Sequence, residues 1–262
     1  MPYAVMQTMP EPPTLEQLKI AFRGVPGLTE VDASTLGKDA YGVVVRGFEL
    51  EAATALKGTL AAQGVETEVV DEATLPQLPE SRQVHRADCT PEGLVIYDPM
   101  DRSFTLGWQN VWVIAAGMVR MSDFARVEVR DRPIYTGRYS PPVAFRRETK
   151  EEQSDHALLE IIITRAALRY TMKMDKLDCM SFQYLGPRRT QNWAENFSLM
   201  VRDMIQFAPM AAVNRGAFSI REQGAQPYSL FYPSKGAFYE EITWILWQML
   251  RTSDGTANEI KP

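Results

Sequence analysis

Hydrophobic and polar positions follow two rhythms along this 262-residue chain, and the change falls near residue 80. Before it, apolar residues predict alternating strands and helices. Tyr3 to Met9 can form a strand, ended by Pro10, Pro12 and Pro13. Thr14 then caps a helix, with Gln17 three residues on as in a capping box. Leu15, Leu18, Phe22 and Val25 fall at helical spacing, and Gly24 is a C-terminal stop. Leu28 to Ala33 is a weaker strand, and Tyr41 to Gly47, with three consecutive valines, suits a central one. Leu50, Ala53, Leu56 and Leu60 mark a second helix stopped by Gly64. Glu66 to Val70 alternates acidic with apolar residues, as a half-exposed edge strand does.

From Arg82 the chain reads as strands. Arg82 to Cys89, Leu94 to Tyr97, Ser103 to Trp108 and Trp112 to Met121 come first, with turns at Thr90–Gly93 and Asp98–Arg102. A polar insertion covers about 122–156; it reads either as an Arg-, Tyr- and Pro-containing loop that binds a partner or an anion, or as a flexible insertion disordered at Glu148 to Asp155. Strands resume at Leu158 to Thr164. Leu168 to Met174 alternates strictly, and Phe182 to Leu185 is the seventh strand. Asn192 then caps a helix, with Glu195 three residues later, whose apolar face is Trp193, Phe197, Met200, Val201, Met204 and Ala208. A last helix spans about 237–251. Phe238, Ile242, Ile245, Leu246 and Met249 share one face, while Tyr239, Trp244 and Trp247 fall off it. A helix apolar nearly all round is buried on several sides or belongs to an interface. Three placements remain open: between the two units, in a dimer or partner contact, or on a membrane surface.

The first pattern, strand–helix–strand–strand–helix–strand, resembles a ferredoxin-like βαββαβ module. The stretch Glu51 to Val70, a helix ending in Gly-Val and feeding a strand, is similar to regulatory bacterial modules of that kind. Seven strands followed by a capping helix resemble the pleckstrin-homology-like (PH-like) fold. Phe104-Thr-Leu-Gly-Trp-Gln-Asn-Val-Trp-Val-Ile114 resembles a strand join of bacterial PH-like and GRAM-like domains. The expected fold class is therefore α+β. A ferredoxin-like module (1–75) and a linker (76–81) precede a PH-like split β-barrel with its capping helix (82–208). A C-terminal extension with the extra helix (209–262) follows. Phosphoinositide-binding members of that superfamily use basic residues at the first hairpin loop. Here that loop is Cys89-Thr-Pro-Glu-Gly93, without Lys or Arg, which disfavours headgroup binding.

Composition excludes more than it assigns. With 45% hydrophobic and 23% charged residues the chain is ordinary globular material. Two cysteines and two histidines are too few for a disulfide framework or a Cys-rich zinc site. The first residues carry no basic n-region or apolar run, and no stretch nears the ~20 apolar residues that span a bilayer. A cytoplasmic setting with reduced Cys89 and Cys179 is expected. The net charge of −5 is divided: residues 1–80 hold 5 basic and 12 acidic residues, the remainder 23 and 21. That supports two units and argues against nucleic-acid phosphates at the acidic one. The two charges can also simply face each other within one molecule.

No phosphate-binding, nucleophile-elbow or zinc-protease motif occurs. His85 and Cys89 are four apart, about 13 Å along a strand, too far for a catalytic pair. Cys179 reads as a small buried hydrophobe, and the carboxylate pairs Glu151-Glu152 and Glu240-Glu241 read as solvated. No catalytic, cofactor or metal residue is assigned. The candidates for partner binding are Arg126, Arg130, Arg132, Tyr135, Arg138, Tyr139, Arg146 and Arg147 in the insertion. Arg188, Arg189, Trp244 and Trp247 join them. The working expectation is a non-enzymatic interaction or adaptor protein with a protein or peptide partner, a homodimer included. The alternatives are a small-ligand sensor using the N-terminal module and an enzyme of unrecognised type.

Overall fold

The computed structural model describes residues 1–36, 41–98, 100–130, 145–163, 168–174, 177, 179–223 and 231–258, with the backbone alone at 36, 122–130, 145–152, 179–180, 223 and 253–258. The architecture is mixed α+β, built on three sheets, none closed as a barrel among the described residues.

The N-terminal unit runs β1 (Tyr3–Gln7), α1 (Leu15–Arg23), α2 (Glu30–Leu36), β2 (Val43–Phe48), α3 (Leu50–Ala62) and β3 (Thr67–Asp71). Its sheet has the order β2–β1–β3, with both pairings antiparallel. The capping box forms: Thr14 Oγ1 accepts from Gln17 N at 3.3 Å, and Gln17 Oε1 accepts from Thr14 N at 2.8 Å. The strand expected at Leu28–Ala33 is corrected to helix α2. Thr29 and Asp32 close a second box, with Thr29 N on Asp32 Oδ2 at 2.7 Å and Asp32 N on Thr29 Oγ1 at 3.2 Å. That cap overrides the β preference of Val31, which is left exposed. The unit is thus βααβαβ rather than βαββαβ. Val5, Val44 and Val45 face Leu18, Phe22, Ala53, Leu56 and Leu60 of α1 and α3, whereas Ala4, Met6, Val43 and Val70 face the other way.

The remainder begins with β4 (Ser81–Gln83), β5 (Arg86–Thr90), β6 (Gly93–Tyr97), β7 (Ser103–Leu106), β8 (Val111–Arg130), β9 (Phe145–Ile163) and β10 (Leu168–Lys173). It continues with α4 (Trp193–Phe207), β11 (Ala212–Val213), α5 (Arg215–Gln223), β12 (Phe231–Tyr232) and α6 (Lys235–Asn258). The strand expected at Arg82–Cys89 is two strands in different sheets. β5 belongs to β5–β6–β7, and β4 pairs parallel with β10 at the edge of β11–β8–β9–β10–β4. Phe182 to Leu185 is no strand but part of a 3-10 segment, Cys179–Arg188. Its buried Phe182 and Leu185 stand three apart, the eclipsed spacing of a 3-10 turn rather than the two of a strand.

The two sheets face each other across one core. Ala87, Leu94 and Ile96 meet Ile114, Leu159, Ile161 and Met172, and Phe197, Met200, Val201 and Met204 of α4 pack against them. The opposite face of the larger sheet, through Val113, Ala115, Leu158 and Ile162, packs on Phe238, Ile242, Trp244 and Ile245 of α6. The same core takes in Ala4, Met6 and Val43 of the N-terminal sheet, so α6 lies between two sheets.

Polar contacts fix that placement. Trp244 Nε1 donates to the Gln7 carbonyl at 2.7 Å, and Gln248 Nε2 donates to the Thr8 carbonyl at 3.0 Å. The Trp244 ring lies over Gly42, which has φ +79°; a β-carbon there would stand 2.4 Å from the indole. Arg46 with Glu240 and Arg251 with Glu68 add ion pairs between α6 and the N-terminal unit. Removing a large buried indole costs about 3–5 kcal/mol. Trp244→Ala is therefore expected to lower the free energy of denaturant unfolding by that order; a loss below about 1 kcal/mol would mean that α6 is not the clamp.

Candidate functional site

β8 and β9 pair from Val111↔Ile163 out to Arg130↔Phe145. The body accompanies them only part of the way. β10 borders β9 at Leu158–Ile163, and β11 and β12 border β8 at Val113–Ile114 and Met118–Val119. From Arg120 on β8 and Ala157 on β9 outward, each strand has the other as its only strand partner among the described residues. At ~3.3 Å per residue the two-stranded ribbon reaches about 33 Å from Arg120 to Arg130. The expected polar insertion is therefore strand wherever it is described, and Glu148 to Asp155, expected as disordered in one reading, belong to β9.

Side-chain contacts are seen at the root. Arg120 Nε meets Asp155 Oδ1 at 3.2 Å, and the Arg120 guanidinium lies 4.8 Å from the Phe231 ring centre. Farther out, the register sorts charge by distance from the body. Asp155, Glu152, Glu151 and Asp123 sit with Arg120 in the proximal half; Arg126, Arg130, Arg146 and Arg147 sit in the distal half with Glu128 and Glu148, Glu128 opposite Arg147.

The candidate residues of the sequence divide accordingly. Arg126, Arg130, Arg146 and Arg147 come together on the ribbon, while Arg132, Tyr135, Arg138 and Tyr139 lie outside the described residues. Arg188 is engaged internally, holding the buried Asp203 of α4 through two 2.8 Å bonds. Arg189 borders a separate cleft of about 480 Å³ with Phe182, Trp193 and Asn196. Trp193, expected in the core, is 38% exposed there, edge-on to Phe182 with ring centres 5.1 Å apart. Trp244 and Trp247, partner-binding candidates on a helix whose placement the sequence leaves open, are buried against the chain's own sheets. The N-terminal unit has a cleft of about 310 Å³ beside Gln7, Pro13 and Gln17, where a small-ligand reading would be placed.

Cys89 is buried, and burial pushes its thiol far above the ordinary range, so it packs as a hydrophobe and holds no thiolate at neutral pH. Two buried carboxylates escaped the sequence reading. Glu241, expected to be solvated, is 1% exposed and accepts from Arg215 N at 2.7 Å and Tyr232 Oη at 2.7 Å. Asn214 donates to that Tyr232 oxygen at 2.8 Å while its amide pairs both backbone groups of Ala116 on β8. The Asn214 side chain thereby fills the gap in the β8 edge between β11 and β12. Beside it a β-carbon on Gly216 would meet the Ala116 oxygen at 1.8 Å, so α5 needs glycine there. Arg215 stacks 3.6 Å from the Tyr41 ring centre, drawing the N-terminal unit onto the same network.

Glu160 has no exposed surface and accepts from Thr171 Oγ1 and from Tyr239 Oη at 2.8 Å, with Arg169 Nε 3.9 Å away. A lone Glu inside the run Leu158-Leu-Glu-Ile-Ile-Ile163 was the signal that could have revealed it. These groups stitch α6 and α5 to the sheet. Among the described residues, no three His, Cys, Asp or Glu side chains gather as metal ligands, and no helix is long and apolar enough to cross a membrane. Comparison with protein-family models, with curated proteins and with solved structures found no match to this chain.

Burial raises the Glu160 pKa, and Arg169, Tyr239, Thr171 and Lys235 only partly oppose it. A carboxyl whose folded pKa is raised binds its proton more readily folded than unfolded. Its contribution to stability therefore falls as pH rises from the ordinary carboxylate range through the raised value. Glu160→Gln lacks that titration. Its stability relative to the native chain is expected to climb across that interval in pH-resolved denaturation; a constant difference would refute the assignment.

Proposed function

We propose that this chain is an interaction or adaptor protein that holds out the β8–β9 ribbon as its recognition element. The observation that carries the reading is the ribbon's length beyond the sheet with both outer edges unshared among the described residues. An isolated two-stranded hairpin is marginal in water, and unshared strand edges are ready templates for another chain. Added strands gain affinity from main-chain hydrogen bonds, and side chains set the choice of partner. The four distal arginines favour an acidic segment at the tip. The roots of both strands are packed on both faces, so the ribbon has a rigid base.

In the same reading, the body is a reduced ferredoxin-like module joined to an opened PH-like pair of sheets, working in the cytoplasm. The central β1 with antiparallel neighbours supports the first likeness, and two facing sheets covered by α4 support the second. Fold likeness names no activity, so the functional claim rests on the ribbon. Proteins captured by the tagged native chain are expected to be lost by a chain with 122–153 replaced by a tight turn, and depleted several-fold by R146E/R147E. Equal capture by all three would defeat the proposal.

A further inference from the structure

We propose that the outer edge of β9 is a self-recognition edge: two copies pair antiparallel through residues 145–153, about a two-fold axis at Thr149. This rests on the reading of the ribbon as an interaction element and identifies one partner for it, a second copy of the chain.

The unshared edge lies outward of β10. β10 borders β9 no farther out than Leu158, and over Gln153 to Phe145 β9 has no strand partner but β8 among the described residues. A second strand laid there continues the sheet as β8–β9–β9–β8, with two strands from each copy. Identical edges related by a two-fold axis form an isologous, closed contact.

The sequence of the edge, Phe145-Arg-Arg-Glu-Thr-Lys-Glu-Glu-Gln153, is complementary to itself when reversed. Centred on Thr149, antiparallel pairing sets Arg146 opposite Glu152 of the second copy, Arg147 opposite Glu151, and Glu148 opposite Lys150. Symmetry doubles all three. Opposite charges directly across a strand pair attract, and like charges there repel.

The same pattern fixes the register. Only every second residue of a strand directs its N–H and C=O to a given edge, so a two-fold ladder must centre on a residue. Centring one residue earlier puts Glu148 opposite itself and Arg146 opposite Lys150. Centring one residue later puts Lys150 opposite itself and Glu148 opposite Glu152. Both neighbouring registers therefore collect like charges, and the Thr149 register has none. β8 offers no such pattern: a two-fold ladder centred on Phe124 sets Arg120 opposite Glu128 and leaves its other positions without a charge match. Charged edges commonly repel a second copy, but this one repels it in every nearby register except one.

Three measurements on the full chain test the proposal. In sedimentation velocity, the native protein is expected to reach a dimer at micromolar concentrations and to dissociate as salt rises. R146E/R147E places Glu opposite Glu and is expected to raise the dissociation constant at least about tenfold. Adding E151R/E152R restores complementarity in the swapped sense and brings it back near the native value. The swapped chain is expected not to pair with the native one. For the third, Thr149→Cys stands on the axis, where strand residues lie about 4.5–5.5 Å apart between Cα atoms, within reach of a disulfide. It is expected to form a covalent dimer under mild oxidation, well above the native chain and above Ala125→Cys on β8. Unchanged thermal midpoints would show that these ribbon variants keep their fold.

A chain that stays monomeric at 100 μM, or a T149C chain that cross-links no better than A125C, would overturn self-pairing. So would a dimer indifferent to the charge reversals. If such a monomer still loses its captured partners on R146E/R147E, the self-pairing falls and the interaction reading stands.

Discussion

Helix α6 is buried against two sheets at once. Its apolar residues point in too many directions for one surface to cover, so it is stable only between two. The larger sheet takes Phe238 and Ile242, and the N-terminal sheet meets the helix around Met6, Val43 and Trp244. Once the helix is seated, its polar atoms must also be matched. Trp244 finds the Gln7 carbonyl, Glu241 finds the Arg215 amide and Tyr232, and Tyr239 finds Glu160. A buried group left without its partner costs about 1–3 kcal/mol, so these pairings exclude neighbouring placements of the helix more than they add stability. The two units distinguished by charge are consequently joined through one shared core.

The same helix packs on the roots of the two strands that continue as the ribbon. β8 is held on one side by β9 and on the other by β11, the Asn214 amide and β12, and it is packed on both faces up to Val119. Met121, 8% exposed, is the last β8 side chain described in the core shared with α6, and outward of it the cross-strand pairing with β9 continues. Within a few residues β8 passes from neighbours on both edges to β9 as its only strand neighbour among the described residues. The Arg120–Asp155 pair marks the place.

The parts of the fold legible in the sequence are those where the signal is local. Thr14 with Gln17, Asn192 with its helix, and the spacing of Ala53, Leu56 and Leu60 all specify what forms. Over Leu28 to Ala33 the apolar spacing suggests a strand, whereas the two cap hydrogen bonds between Thr29 and Asp32 start a helix and leave Val31 exposed. The ribbon's sequence reads as a polar insertion because strand recognition depends on an apolar face, and 122–130 and 145–155 carry charged and polar residues at most positions. Four arginines of the candidate site were legible as a cluster, but the strand pairing that arranges them by distance from the body is non-local. Trp244 and Trp247 were recognised as needing cover; that the cover is the chain's own N-terminal sheet is a tertiary fact. Glu241 followed the usual rule that acidic pairs are solvated, and only its distant partners, Arg215 and Tyr232, reverse that rule.

In the proposed reading, a doubly clamped body presents the β8–β9 ribbon to another chain that completes its edges. Amide hydrogen exchange read along the chain at low and high protein concentration tests it most directly, because protection reports local opening residue by residue. Amides of β8 over 113–119 and of α6 over 238–248 are predicted to stay protected at both concentrations. Those of 145–153 are predicted to exchange rapidly when dilute and to gain protection when concentrated. Ribbon amides equally slow at every concentration, or a body that exchanges as fast as the ribbon, would contradict it.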